Sequence, residues 1–402
     1  MGKRRGPRGC RRRCLAHCTV SCCYRFFQTA PRWGLAMSVE SGFVIRSVRT
    51  RAVRVPLNFT LGTSAAIVRA VPLLLLDLMS EDGVEGRSYV FCYTTAGAKA
   101  IAAHVDEAVS LLGRTSVSPQ LLWEIAGRRL ALLGVTGPVR MALSALDIAL
   151  WDAIAVRAGL PLATLLGGEP KALRAYDSRG LGLMPLEKLA DETETLLSGG
   201  LRALKLRLGY PTLQQDLAAV RLVRGCMPDD FELMVDYNQA LDPHEAMRRG
   251  LALQGEGLAW LEEPMRHDAY QDYAALAARL DLPVQIGENF NGAEAMMDAV
   301  LAGAVDLAMP DVSRIGGVTG WMQAAGIAVA RGIPLSTHLM PEISAHLLAA
   351  SPTAHYLEYV DWADCLLLQP MGLDNGHAMV PDRPGLGLEW DESRIGHLER
   401  LS

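Results

Sequence analysis

Apolar residues alternate with polar ones early in this chain and cluster in short runs later, and the rhythm changes near Gly168. Between residues 41 and 170, FVIRSVRTRAVRVPL has the two-residue period of a half-buried strand. A Gly/Thr/Ser/Ala loop follows at 60–67. VPLLLLDLMSEDGVEGRSYV then predicts two strands joined at Asp82-Gly83, a hairpin signal. Three runs of helical spacing come next: TAGAKAIAAHVDEAVSLLG, SPQLLWEIAGRRLALLG and GPVRMALSALDIALWDAIAVRAG. Strands followed by helices predict an α+β domain over 37–170.

Beyond Gly168, apolar strand candidates recur at 172–178, 202–208, 231–237, 258–263, 283–288, 305–311, 333–338 and 355–360. Amphipathic stretches such as LQQDLAAVRLVRGC lie between them, and only the last interval, around EISAHLLAAS, is tight. Eight parallel strands with alternating helices predict a closed α/β barrel over 171–369. The loop-rich tail, 370–402, is expected to return to the first domain and complete it.

Composition narrows the class. The chain has 402 residues, 50% of them hydrophobic, enough for a large core and two domains. Its formal charge is −5, but nine basic and no acidic residues fall in 1–36, leaving −14 on the rest. That balance argues against nucleic acid as a partner of the main body. No apolar run approaches the roughly 18 to 20 residues of a membrane span. Five of the eight cysteines lie in the first 23 residues. The three scattered thiols of the remainder fit a reducing cytoplasm rather than a disulfide framework. Residues 1–36, basic and Cys-rich, read as a disordered or non-native leader outside the fold; a transit peptide is the alternative.

The chemistry is concentrated at strand ends. Asp236 closes FELMVD, Glu262 closes LAWLE and Glu288 closes PVQIGE, at two equal intervals of 26 residues. One βα unit takes roughly 25 to 30 residues, so the three carboxylates fall at the same end of neighbouring strands. For each alone a helix N-cap is the plainer but less favoured alternative. In phase, they repel one another unless a cation joins them, and hard oxygen ligands suit Mg²⁺. Lys205 and Arg207 sit two apart on the second barrel strand and share a face. They read as a cationic shelf for a substrate carboxylate, each cation lowering the other's pKa so that Lys205 becomes a base; a rim ion pair is the plainer alternative. Asp311 and His338 end adjacent strands, a spacing suited to an Asp–His acid/base pair. Glu358, on the last strand, faces the expected metal across the mouth, where a protonated carboxyl would donate to a developing oxyanion. Asn238 lies two beyond Asp236 and is a candidate contact for a substrate hydroxyl.

These residues fall within strings that resemble the mandelate racemase subgroup of the enolase superfamily: AYDS at 175–178, MVDYNQ at 234–239, EEP at 262–264, GEN at 287–289, AMPD at 308–311, IGGVTGW at 315–321 and EISAHLLAA at 342–350. The likeness runs from about residue 41 to about 390. It implies a (β/α)7β barrel beneath an N-terminal α+β capping domain, with Mg²⁺ held by Asp236, Glu262 and Glu288. It further implies a His338–Asp311 dyad, Glu358 as electrophilic acid, and substrate contacts from Ser178 and Asn238. Leu61, Val68 and Tyr93 fall where the family's capping domain closes the pocket. A small carboxylate substrate and a homo-oligomer, octamer or dimer, are also implied.

One departure matters. Racemases of this type carry Lys-x-Lys on the second strand, whereas this chain reads Lys205-Leu206-Arg207. Arginine stays protonated and makes a poor base, while its fork suits a carboxylate. Loss of one base favours dehydration of a hydroxy acid or acid sugar, with His338 serving as both base and acid. Racemisation of a 2-hydroxy acid is the first alternative, and a catalytically weakened binding protein the second. Arg179 and Arg69 read as further cations favouring a polar or doubly anionic substrate.

Overall fold

A computed structural model describes residues 42–64 and 66–399. The expectation of a disordered leader at 1–36 lies outside the described residues. The first sheet is antiparallel, in the order β3-β2-β1-β4, from β1 (Phe43–Gly62), β2 (Ile67–Ser80), β3 (Glu85–Phe91) and β4 (Ser116–Val117). The expected loop at 60–67 is shorter than its composition suggests. β1 runs on to Gly62, and Leu61 pairs with Val68 and Gly62 with Ile67, so the segment is a hairpin flap. Helices Thr95–Leu112 and Gly137–Ala158 follow, the first capped by Thr94 accepting from the Gly97 N–H. The second is apolar nearly all round because it packs against both β3 and the barrel helix Gly317–Arg331. The run expected as one helix at 118–134 instead makes one turn, Pro119–Leu122, and a π turn, Trp123–Gly127, whose indole N–H donates to Asp147 on the apolar helix at 3.0 Å.

The barrel strands are β5 (Ala172–Asp177), β6 (Ala203–Arg207), β7 (Glu232–Asp236), β8 (Leu261–Glu262), β9 (Val284–Ile286), β10 (Leu307–Ala308) and β11 (Leu357–Tyr359). All neighbours pair parallel, and β11 closes back onto β5. The strand expected at 333–338 forms only bridges, Ala308 with Leu335, Leu335 with Ala354 and Asp311 with His338. Pro334 has no N–H to give to a ladder, yet its carbonyl accepts from Ala308, and Thr337 donates to the Tyr356 carbonyl. The ring therefore closes, and the helices between strands make it (β/α)7β. In the tail, β12 (Leu373–Asp374) and β13 (His377–Met379) form a hairpin whose second strand pairs with β5. The last helix, Glu392–Glu399, packs on β1, where Arg51 holds Glu392 at 2.6 Å.

Inside the barrel, Tyr176, Met234, Trp260 and Tyr356 fill the space beneath the strand C-termini. Tyr176 meets Trp260 edge-on with centroids 5.4 Å apart. Trp260 is both filler and fixture, because its indole N–H donates to Glu262 Oε2 at 3.0 Å. Trp260→Ala should therefore destabilise the fold by about 3–5 kcal/mol in urea unfolding, the usual range for a buried Trp truncation. A loss under about 1 kcal/mol would mean that the aromatic layer does not support the barrel.

Candidate active site

The strand ends deliver polar side chains to the mouth of the barrel. Asp236, Glu262 and Glu288 each offer a carboxylate oxygen within 4.8 Å of the other two, the convergence that their equal spacing predicts. Asp236 is held from its own strand's continuation. At Asn238 the backbone turns to φ +44°, so its N–H reaches Asp236 Oδ1 at 2.7 Å and its amide reaches Oδ2 at 3.0 Å. Asn238 Oδ1 is left buried without a hydrogen-bond partner. Gln285 joins Trp260 in donating to Glu262 Oε2, at 3.2 Å. Asn289 bridges Glu288 at 3.1 Å and Glu263 at 2.9 Å.

Lys205 is the positive centre of this group. Its Nζ lies 2.7 Å from Glu262, 2.8 Å from Glu358 and 3.3 Å from Asp236, with the side chain 2% exposed. This overturns the expectation that a neighbouring cation would lower its pKa. Burial does pull the ammonium down, but Glu262, Glu358 and Asp236 outweigh it and lift the pKa well above the ordinary lysine value. Burial favours the neutral form of the Glu358 carboxyl, yet Lys205 and His338 hold it well below the usual carboxylate range. Its second oxygen accepts from the Leu339 N–H at 2.8 Å.

The remaining carboxylates have too little positive charge nearby. Burial first, then Glu288 and Asp236, raise Glu263 well above its ordinary value; burial likewise raises Glu262 against the pull of Lys205. His338 Nδ1 lies 2.8 Å from Asp311 Oδ2, and Nε2 lies 3.3 Å from Glu288 Oε2. Asp311 has one oxygen committed to the Ser313 and Arg314 N–H groups, which leaves the other to orient the imidazole. Burial pulls His338 down, but Glu288 and Asp311 raise it to about 9.

Arg207 does not stand beside Lys205 as a carboxylate shelf. Its guanidinium donates to Ser178 Oγ at 2.8 Å and to the Gly180 carbonyl at 2.7 Å, and among the described residues no carboxylate lies within ion-pair distance. Ser178 is thereby buried against Arg207 and also reaches Glu358. Arg179 is likewise not a free cation: it grips Asp177 at 2.6 Å and approaches Asp361 at 3.7 Å. Arg69 is exposed on the flap. Leu61 is buried at the flap base, and Val68 faces it across the hairpin. Tyr93, 43% exposed at φ +62°, lies over the Arg314 guanidinium at 4.6 Å. Arg314 in turn donates to Asn289, so Tyr93 reaches the carboxylate group through two side chains. A cavity of about 490 Å³ opens there, bounded by Tyr93, Arg140, His267, Asn289, Asn291 and Arg314.

Several of these residues escape sequence reading. Trp260 and Gln285 left one clue each: a polar or N–H-bearing side chain two or three positions before a strand-end acid. Glu263 was visible as the second acid of EEP, but nothing marked it as buried.

The family comparisons agree with this geometry. Residues 45–167 match the mandelate racemase/muconate lactonizing enzyme N-terminal domain, and residues 188–394 match the enolase C-terminal domain-like family. The chain belongs to the mandelate racemase/muconate lactonizing enzyme family of the enolase superfamily. It is 35% identical over 331 residues to an L-talarate/galactarate dehydratase of Salmonella typhimurium, covering 80% of this chain and 81% of the relative. It is 33% identical to a 3,6-anhydro-alpha-L-galactonate cycloisomerase of Streptomyces coelicolor, covering 88% of this chain and 99% of that one. Among solved structures, an enolase from Bradyrhizobium complexed with magnesium and mandelic acid superposes with a TM-score of 0.84 at 37% identity. That match covers 89% of this chain and 98% of the other. Among the described residues of this family member, no helix is long and apolar enough to cross a membrane.

Lys205 supplies a direct test of the charge arrangement. Lys205→Met leaves Glu262 and Glu358 buried without their cation, and should lower stability by about 3–5 kcal/mol in urea unfolding with chelator present. A change below about 1 kcal/mol would show that the ammonium does not hold the group together.

Proposed function

We propose that this protein is a Mg²⁺-dependent dehydratase of hydroxy acids or acid sugars, acting by removal of the proton α to a carboxylate. The observation that carries the reading is the asymmetry of the mouth. An Asp-oriented imidazole stands at the end of one strand, and on the second strand the position of a second base is filled by an arginine bound to Ser178 and Gly180. Dehydratases among the similar proteins support the same choice.

The residues present fit the metal. Asp236, Glu262 and Glu288 form an all-oxygen set, and with Glu263 they exceed the positive charge that Lys205 provides. Bound there, Mg²⁺ would supply electrostatic stabilisation of the substrate carboxylate as charge develops on it. The Lys205 ammonium donates to that carboxylate from within the barrel, and Glu358 supports it by fixing Lys205 at 2.8 Å. In its neutral form His338 takes the α-proton through Nε2, the ring nitrogen not held by Asp311. The C–H electron pair passes into the enolate and then forms the C=C bond as the β-hydroxyl leaves. His338 returns its proton to that hydroxyl, so water departs and the enol tautomerises to a 2-keto-3-deoxy acid. Asn238 Oδ1, without a partner, is the acceptor available for a substrate hydroxyl.

In this reading the capping domain is 37–170, completed from the 370–402 tail by the helix Glu392–Glu399 while the tail hairpin stays on β5; the barrel is 171–369, and the enzyme works in the cytoplasm as a homo-oligomer. Racemisation is the second reading, favoured by the mandelic acid in the Bradyrhizobium structure. A screen of hydroxy acids and acid sugars in D₂O separates the two. Dehydration predicts ketoacid formation with α-proton exchange on one face, and His338→Asn should lower both by a factor of about 10² or more. Inversion at the α-carbon, at rates matching elimination of any acid sugar, would overturn the dehydratase assignment.

A further inference from the structure

Arg207 is a buried cation that has no carboxylate within ion-pair distance among the described residues, an arrangement costly enough to need a reason. The hydrogen bonds of its guanidinium and of its backbone N–H go to one loop, while Nε is left buried without a partner. The guanidinium fork spans Ser178 Oγ and the Gly180 carbonyl, and the Arg207 backbone N–H donates to the Leu181 carbonyl at 2.9 Å. Leu181 lies in the left-handed region at φ +51°, a conformation unfavourable for a leucine unless its surroundings impose it. Glu192 holds the same residue from the other side, accepting from its N–H at 2.5 Å.

Immediately beyond, this loop meets the flap backbone to backbone. The Leu183 N–H donates to the Gly62 carbonyl at 2.8 Å. A Cβ on Gly182 would stand 2.4 Å from the Gly62 nitrogen, and a Cβ on Gly62 would stand 2.6 Å from the Leu183 carbonyl. Both glycines are thus required by the closeness of approach. Farther along the flap, Ser64 Oγ donates to the carbonyl of Asn238, the residue that grips Asp236. The 178–183 loop is therefore a ledge that receives the flap base, and Arg207 lies under it.

We infer that Arg207 is a positioning residue that fixes the 178–183 ledge, and through it the docked flap, so that it governs substrate enclosure and not proton transfer. A lysine could not do the same, because a single ammonium on a flexible stem does not reproduce the planar two-point fork between a side-chain hydroxyl and a carbonyl. The inference rests on the barrel mouth being the catalytic site, as proposed above.

The test uses the full chain with Mg²⁺ and compares Arg207→Lys with Gly182→Ala, which disturbs flap docking without touching Arg207. Amide hydrogen exchange at Leu183 and steady-state kinetics on the turned-over acid are read together. Both variants should speed exchange at Leu183 and raise KM, each by roughly tenfold for the loss of a charge-assisted hydrogen bond or its equivalent. The pH profile of kcat should match the parent in both. The inference is overturned if Arg207→Lys keeps Leu183 protected and KM unchanged, or if it gains α-proton exchange on the second face, which would make the position a base site. Should no acid be turned over, the dehydratase reading fails, but exchange at Leu183 in Arg207→Lys still decides the role of Arg207.

Discussion

Crowding of like charge is the constraint on which the mouth of this barrel depends. Four carboxylates from neighbouring strand ends, Asp236, Glu262, Glu263 and Glu288, are packed where water is largely excluded, and Lys205 alone enters the group from the second strand. Much else follows from that imbalance. Lys205 pulls the Glu358 carboxyl below its ordinary range; Trp260 and Gln285 donate to Glu262 from below; Asn238 turns back to cover Asp236. Each contact either feeds positive charge or hydrogen-bond donors to the carboxylates or keeps them from separating.

The two sides of the mouth differ in purpose. On the His338 side, Asp311 and Glu288 hold an imidazole by both nitrogens, the arrangement expected of a group that moves protons. On the Arg207 side, the donors are turned away from the carboxylates and into a loop that supports the flap. The same strand thus combines electrostatics at Lys205 with architecture at Arg207, two residues apart on one face.

The barrel and the metal-ligating candidates were legible because they depend on period. Strand runs and their terminal acids recur at fixed intervals, and parallel pairing turns equal intervals into spatial convergence. The roles of Lys205, Glu358 and Arg207 were not legible, because they depend on which group from a distant strand stands opposite. Lys205 and Arg207 look like a matched pair in sequence, yet one meets three carboxylates and the other a hydroxyl and a carbonyl. Arg179 looked like a substrate-binding cation until Asp177 and Asp361 were found beside it. The strand at 333–338 was correctly positioned but not a full ladder, since Pro334 removes a donor. The flap appeared as a loop because small residues at 60–67 hide the pairing of Leu61 with Val68.

The central claim is that a divalent cation completes the carboxylate cluster. Anomalous diffraction from crystals soaked in Mn²⁺, a close substitute for Mg²⁺ at oxygen sites, tests it most directly. The account predicts one strong peak bonded to Asp236, Glu262 and Glu288, lost in Glu288→Gln. A peak elsewhere on the chain, or no peak at the three carboxylates in the parent protein, would contradict it.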